Sequence, residues 1–236
     1  MNFLESFLQS PQPEVYQGHF GEYTITPADR VGVIVYRGSL MVAALSFGIA
    51  TGLVLWQGDN PMVLRVLTPL YTCFSLALGV SLATIHIYMS ILHRLLQLFW
   101  AIGGVTAATL VQQNSDALAL IVYNEPKNLV GVGFIFVALT GIYFKEAFCF
   151  NRLETKFLTP LVPFLLLGHY LGLLSINQEQ FLLGVWAVLF LIFAVRKFFQ
   201  PFAQDIGDKS VFEHLEKRDY LPVKWDNSQT VEYPEE

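Results

Sequence analysis

The side chains best suited to chemistry fall at two kinds of place in this sequence. His86 and His169 are single imidazoles inside apolar runs, while Lys145, Glu146, Arg152, Glu154 and Lys156 crowd a short connector between two such runs. Counted at about 1.5 Å per helical residue, His86 lies about 10 Å inside one stretch, measured from His93, and His169 about 14 Å inside another, measured from Pro160. Two imidazoles at matching depth on different helices suit axial ligation of haem or chlorophyll. A hydrogen bond from each to a neighbouring helix is the commoner use of such residues and the reading preferred for both.

Ionisable groups are costly in lipid, so the charged connector belongs at a membrane surface, inside protein, or both. Lys145 has a stem long enough to reach the interface. Glu146 does not, and His93 or Arg94 is its expected partner. A proton relay calls for a matching acid deeper in another span, and none is found. The five residues therefore read as a docking surface for a protein partner. The sequence holds no phosphate-binding glycine loop, metalloprotease helix or nucleophile elbow. A non-enzyme is expected.

Of 236 residues, 54% are hydrophobic and 14% charged, against about 25% charged in a soluble domain. With a mean hydropathy of +0.49, the chain is an integral membrane protein. Acids and bases balance at ten each up to Phe199, so the net charge of −5 resides in the segment from Gln200 onward. Such a tail is not expected to bind nucleic acid or anionic lipid by charge alone. Cys73 and Cys149 make neither a disulfide framework nor a metal site and are expected to be buried. The first residues lack the basic and apolar regions of a cleavable signal peptide.

Six apolar stretches (38–56, 69–90, 95–111, 129–150, 160–174 and 181–195) reach or approach the roughly 20 helical residues that cross a hydrocarbon core. They predict an all-α polytopic bundle of six transmembrane helices. Thr68-Pro69 and Thr159-Pro160 read as helix starts, and 117–123 as an interfacial piece. Six spans put both chain ends on one side, which then receives twelve Lys and Arg against two on the other. That bias makes the richer side cytoplasmic or stromal. Trp56, Tyr71 and Trp186 are expected in an outer aromatic belt, and Tyr36, Tyr88 and Trp100 in an inner one. Gly48 with Gly52, and Gly168 with Gly172, have the spacing that lets helices approach closely.

Three regions result: a segment 1–37, a membrane domain 38–199 and an acidic tail 200–236. Phe3, Leu4, Phe7 and Leu8 share one helical face that suits a membrane surface. Residues 15–26 suggest a small hairpin. Ser210 and Glu213 form a capping-box pattern opening a helix near 210–219, and the chain beyond Pro222 has a disordered composition.

Five stretches carry a likeness to known proteins: Tyr-Gln-Gly-His-Phe-Gly-Glu-Tyr-Thr-Ile-Thr (16–26), Gln-Gly-Asp-Asn-Pro (57–61), Ile-His-Ile-Tyr (85–88), Gly-Asp-Lys-Ser-Val-Phe-Glu (207–213) and, most specific, residues 140–163 around Lys145-Glu146. They resemble an integral-membrane family of unknown function from cyanobacteria and chloroplasts. The resemblance implies a photosynthetic host, a thylakoid (or cyanobacterial plasma) membrane, and by association a role in assembling a photosystem complex. It assigns no catalytic residue. The expected partners are the lipid bilayer and photosystem subunits, with no nucleic acid. One alternative is a small-solute or ion transporter lined by Ser46, Thr51, Ser75, Thr106, Thr140 and His169. A second is a redox protein holding haem or pigment on His86 and His169.

Overall fold

A computed structural model describes residues 15–58, 60–212 and 214 of the chain. Strands β1 (Val15–Gln17) and β2 (Glu22–Thr24) pair antiparallel, with Tyr16 opposite Tyr23. Helices then follow in the order α1 (Pro27–Gln57), α2 (Pro61–Thr84), α3 (Ser90–Gln113), α4 (Leu118–Asn124), α5 (Leu129–Val132), α6 (Phe134–Phe150), α7 (Leu153–Tyr170), α8 (Ile176–Phe198) and α9 (Phe202–Ile206), with a 3-10 turn at Pro126–Asn128. The described residues are all-α apart from the hairpin.

Each stretch read as a span falls on a helix, but several ends move. α2 begins at Pro61, where the Asn60 side chain accepts from the Met62 N–H at 2.9 Å, so Pro69 sits inside it. α7 begins at Leu153 and contains Pro160 and Pro163. Thr68 and Thr159 are therefore not N-caps. Thr68 Oγ1 instead accepts from Leu118 N at 3.1 Å, tying α2 to α4. True capping boxes open α1, from Thr26 with Asp29, and α8, from Ser175 with Gln178. At 31 residues, α1 is roughly 46 Å long, well beyond a hydrocarbon core of about 30 Å. Lying untilted, it would extend about ten residues beyond the core.

Four helices (α1, α2, α3 and α8) are long and apolar enough to cross a membrane. The segment Pro126–Val132 joined to α6 makes a fifth if that pair, bent by 53°, is one span. α7 falls short of the same measure because Glu154, Lys156, His169 and two prolines dilute it.

The core forms where apolar residues recur at helical spacing. Ile135, Ala138, Leu139, Ile142 and Tyr143 of α6 meet Trp186, Phe190 and Phe193 of α8, Leu40 and Ala44 of α1, and Phe74, Leu78 and Leu82 of α2. Aromatic rings fill the centre: Phe47 lies 4.5 Å and Phe136 5.3 Å from Trp186 between ring centroids. Trp186 donates to the Tyr143 hydroxyl at 3.3 Å. Trp186 and Tyr36 are thus core residues rather than belt residues, and Trp100 is anchored by donating to the Ser75 carbonyl at 2.8 Å. Trp56, near the end of α1, is 78% exposed. Cys73 and Cys149 are exposed rather than buried.

Lipid supplies no hydrophobic drive between helices, so close packing must hold them. At Gly103 of α3 a helix meets backbone of another segment: an added Cβ would lie 2.5 Å from the Ile135 amide nitrogen. Gly48 meets Leu191 of α8, whereas Gly172 turns the chain in the left-handed region, at φ +65°, and packs against nothing within 4 Å. Gly103→Ala is expected to destabilise the bundle by about 1–3 kcal/mol through overpacking. Gly104→Ala, with nothing within 4 Å of its added methyl, serves as the neutral control. Thermal unfolding of both variants in mild detergent checks this.

Candidate functional site: a buried ion-pair cluster under a cap

At the end of the bundle where α6 and α8 finish and α1 starts, five charged side chains lie buried together. Glu146 on α6 is at the centre, with 0% exposure. Its Oε1 accepts from Lys145 Nζ at 2.9 Å and its Oε2 from Lys197 Nζ at 2.6 Å. The Tyr36 hydroxyl of α1 donates to Oε1 at 3.3 Å. Lys197, equally buried, also pairs with Asp205 of α9. Asp205 in turn accepts from Arg37 Nε of α1 at 2.7 Å. Charge alternates along the chain Lys145, Glu146, Lys197, Asp205, Arg37.

Rings and carbonyls complete the surroundings. Lys197 lies 4.4 Å and Lys145 5.1 Å from the Phe150 ring centre, and Arg37 4.9 Å from that of Phe202. Arg37 also donates to the Phe198 and Pro201 carbonyls, satisfying the frayed end of α8. Gln200 Oε1 joins this cluster to a second one, accepting from Lys197 at 3.2 Å and from Arg152 at 2.8 Å. There Glu154 accepts from Arg196 at 2.7 Å and lies 3.6 Å from Arg152. The local cause is Asn151, which ends α6 in the left-handed conformation, φ 53°. Asparagine tolerates that region. The turn brings Glu146 at the end of α6 and Glu154 at the start of α7 to the same end of α8.

A small cap covers this end. The β1–β2 hairpin packs Tyr16 and Tyr23 on Ile25, Val33 and Ile206. Asp208 accepts from the His19 amide at 2.6 Å, and Ser210 Oγ from the Phe20 amide at 3.0 Å. Lys209 pairs with Asp29 at 2.9 Å, linking the α1 capping box to the far end of the chain. Tyr88, in the α2–α3 loop, accepts from the Asp208 amide at 2.5 Å and stacks on Phe212. The residue after position 208 starts a short helix over 209–212, and Asp208 accepts from the Ser210 amide at 2.9 Å. Asp208, rather than Ser210, is therefore its cap. The partner position Glu213, the helix beyond 214 and the apolar face at residues 3–8 lie outside the described residues.

The residues expected to do chemistry are distributed differently. Lys145, Glu146 and Glu154 are buried, so they do not form an open docking surface; desolvated charges pair inside the bundle end instead. Glu146 finds Lys145, Lys197 and Tyr36 rather than His93 or Arg94; His93 Nε2 lies 2.6 Å from the Leu82 carbonyl. Arg152 is half-buried and paired, and Lys156 is exposed. His86 lies in the α2–α3 loop beneath the cap, its ring 3.8 Å from the position of a Cβ at Gly32. His169 sits in the last turn of α7 at the opposite end, 2.8 Å from Glu179 and stacked on Tyr123 at 5.0 Å. The two imidazoles cannot share a haem or chlorophyll. The similar depths expected from sequence failed because His86 is outside a helix and α7 begins seven residues earlier than Pro160.

The residues of the candidate transporter lining take local partners or lie buried. Thr106 and Thr140 donate to carbonyls four residues back in their own helices, at 2.8 and 2.7 Å. Ser46, Thr51 and Ser75 are buried.

A family model described as an uncharacterized integral membrane protein, DUF2301, matches residues 80–214. The chain belongs to this family. The DUF2301 match takes in the α2–α3 loop, Glu146, Lys197, Asp205 and the tail side of the cap, and leaves Tyr36, Arg37 and the hairpin before it. Among curated proteins and among solved structures, none matches the chain.

Removing one partner from a buried pair strands a charge, at a cost of about 3–5 kcal/mol. Glu146→Ala and Lys197→Ala should each destabilise the protein on that scale. The double substitution should cost clearly less than the two together, read by a double-mutant cycle of detergent unfolding.

Burial lowers the His86 pKa, with Asp29 and Asp205 opposing and Lys145 and Lys209 reinforcing it. At Asp208 burial pushes the pKa up, but the hydrogen bonds from Ser210 and the His19 amide together outweigh it and lower the pKa. Both groups bind protons less readily in the folded cap than in the unfolded chain. Cap stability is thus full above the ordinary imidazole range near pH 6.5. It declines as pH falls toward the His86 value and again below about pH 4 through Asp208. Hydrogen exchange of residues 15–24 measured between pH 8 and pH 3.5 should show protection lost in that order.

Proposed function

We propose that this protein is a non-enzymatic accessory or assembly factor of a photosynthetic membrane complex, acting through the capped end of its bundle. The observation that carries the reading is the cap: both ends of the described chain are tied together over a buried ion-pair cluster, giving a rigid exposed platform. Val15, Gln17, His19, Phe20, Glu22 and His214 lie on its exposed side. The ionisable groups beneath are committed to one another, which supports a binding role over catalysis. The photosynthetic setting rests on the resemblance of residues 16–26 and 140–163 to proteins of cyanobacteria and chloroplasts.

The membrane topology belongs to the same proposal. An odd number of crossings would part the chain ends, whereas His19 and Phe20 hydrogen-bond to Asp208 and Ser210. Six crossings, with α7 as one of them, fit that contact. The excess of Lys and Arg at the capped end supports a cytoplasmic or stromal cap.

Affinity capture of the tagged protein from mildly solubilised thylakoids should recover photosystem subunits. Asp208→Ala frees the hairpin from the tail and should lose them while the helical circular dichroism is kept. A deletion strain with unchanged photosystem I and photosystem II levels would overturn the proposal.

A further inference from the structure

Away from the cap, a groove runs along the outer face where α6 and α7 meet. Its deeper part, about 320 Å³, reaches from Val137 and Thr140 of α6 to Pro163 of α7. A second part, about 300 Å³, continues from Phe144 and Thr159 to Phe148 and Lys156 at the capped end. The two parts share Phe144 and Thr159. From Val137 to Phe148 is eleven residues, roughly 16 Å of helix, the depth of one leaflet of a hydrocarbon core of about 30 Å.

The chemistry changes along its length. Thr140 and Thr159 donate to the Phe136 and Thr155 carbonyls, each at 2.7 Å, so both present their methyl groups as an apolar wall. Lys156 stands exposed at the mouth, and among the described residues its ammonium has no ion pair. An apolar slot one leaflet deep, ending in a cation, matches an acyl chain below an anionic headgroup.

We infer that the α6–α7 groove, with Lys156 at its mouth, is a binding site for an anionic glycerolipid of the leaflet on the capped side. Lys156 holds the phosphate and the groove holds one acyl chain. This site is separate from the docking platform and does not rest on it.

Native mass spectrometry of the full chain, in micelles supplemented with equal phosphatidylglycerol and phosphatidylcholine, tests the site. The wild type should retain phosphatidylglycerol about fivefold over phosphatidylcholine, the ratio corresponding to about 1 kcal/mol for one lysine near an anionic surface. Lys156→Gln should abolish the preference and Lys156→Arg keep it. Val137→Trp, at an exposed position of the groove wall, should reduce both adducts. Equal retention by the wild type, a preference that survives Lys156→Gln, or a dimer without lipid adducts would each overturn the inference.

Discussion

The contact between Glu146 and Lys197 is the constraint on which the rest of this bundle end depends. Two fully buried charges on neighbouring helices each lose hydration worth several kcal/mol, and only close pairing recovers it. The pair therefore fixes the register of α6 against α8 to within a hydrogen bond. Further charges then follow by necessity. Lys197 left over from Glu146 needs Asp205, Asp205 needs Arg37, and Arg37 sits on α1. One buried carboxylate thus recruits three helices and the turn after α8.

The cap is a consequence of the same pairing. Asp205 lies in α9, so its bond to Arg37 folds the chain after α8 back over the bundle. That path delivers Ile206 to Val33 and Asp208 to the hairpin amides. The hairpin alone, two strands of three residues each, is too small to be stable in water. It is held by the tail and by the α1 capping box through Lys209. A weakness in the cluster is accordingly felt in the cap, the face offered to a partner, whereas the aromatic core around Trp186 is held by packing. The α6–α7 turn at Asn151 serves both sides: inward it aims Glu146 and Glu154 at α8, and outward it opens the groove that ends at Lys156.

Much of this was legible in the sequence. The helices came from apolar runs, the hairpin from residues 15–26, and the membrane setting from composition, because each depends on neighbours along the chain. Ends were less legible: Thr68-Pro69 and Thr159-Pro160 have the pattern of a start, yet helices continue through both prolines where packing offsets the lost N–H. Asp205 and Lys197 went unremarked as site residues, although an acid and a base beside an apolar helix end were a signal that they needed partners.

By itself the sequence determined that the chain is a membrane protein built of apolar helices, with costly charges at Lys145 and Glu146 that must be compensated. It could not say by whom. Glu146 and Lys197 are 51 residues apart, and Arg37 and Asp205 are 168 apart. Pairs so distant are brought together only by the packing of α6 and α8, which both end at the cap, against α1, which starts there. The same packing sends His86 and His169 to opposite ends, because helix direction, which local residue types do not encode, sets the depth of every side chain. Tertiary structure turned the charged block from an open surface into a buried clamp and left Lys156 facing outward.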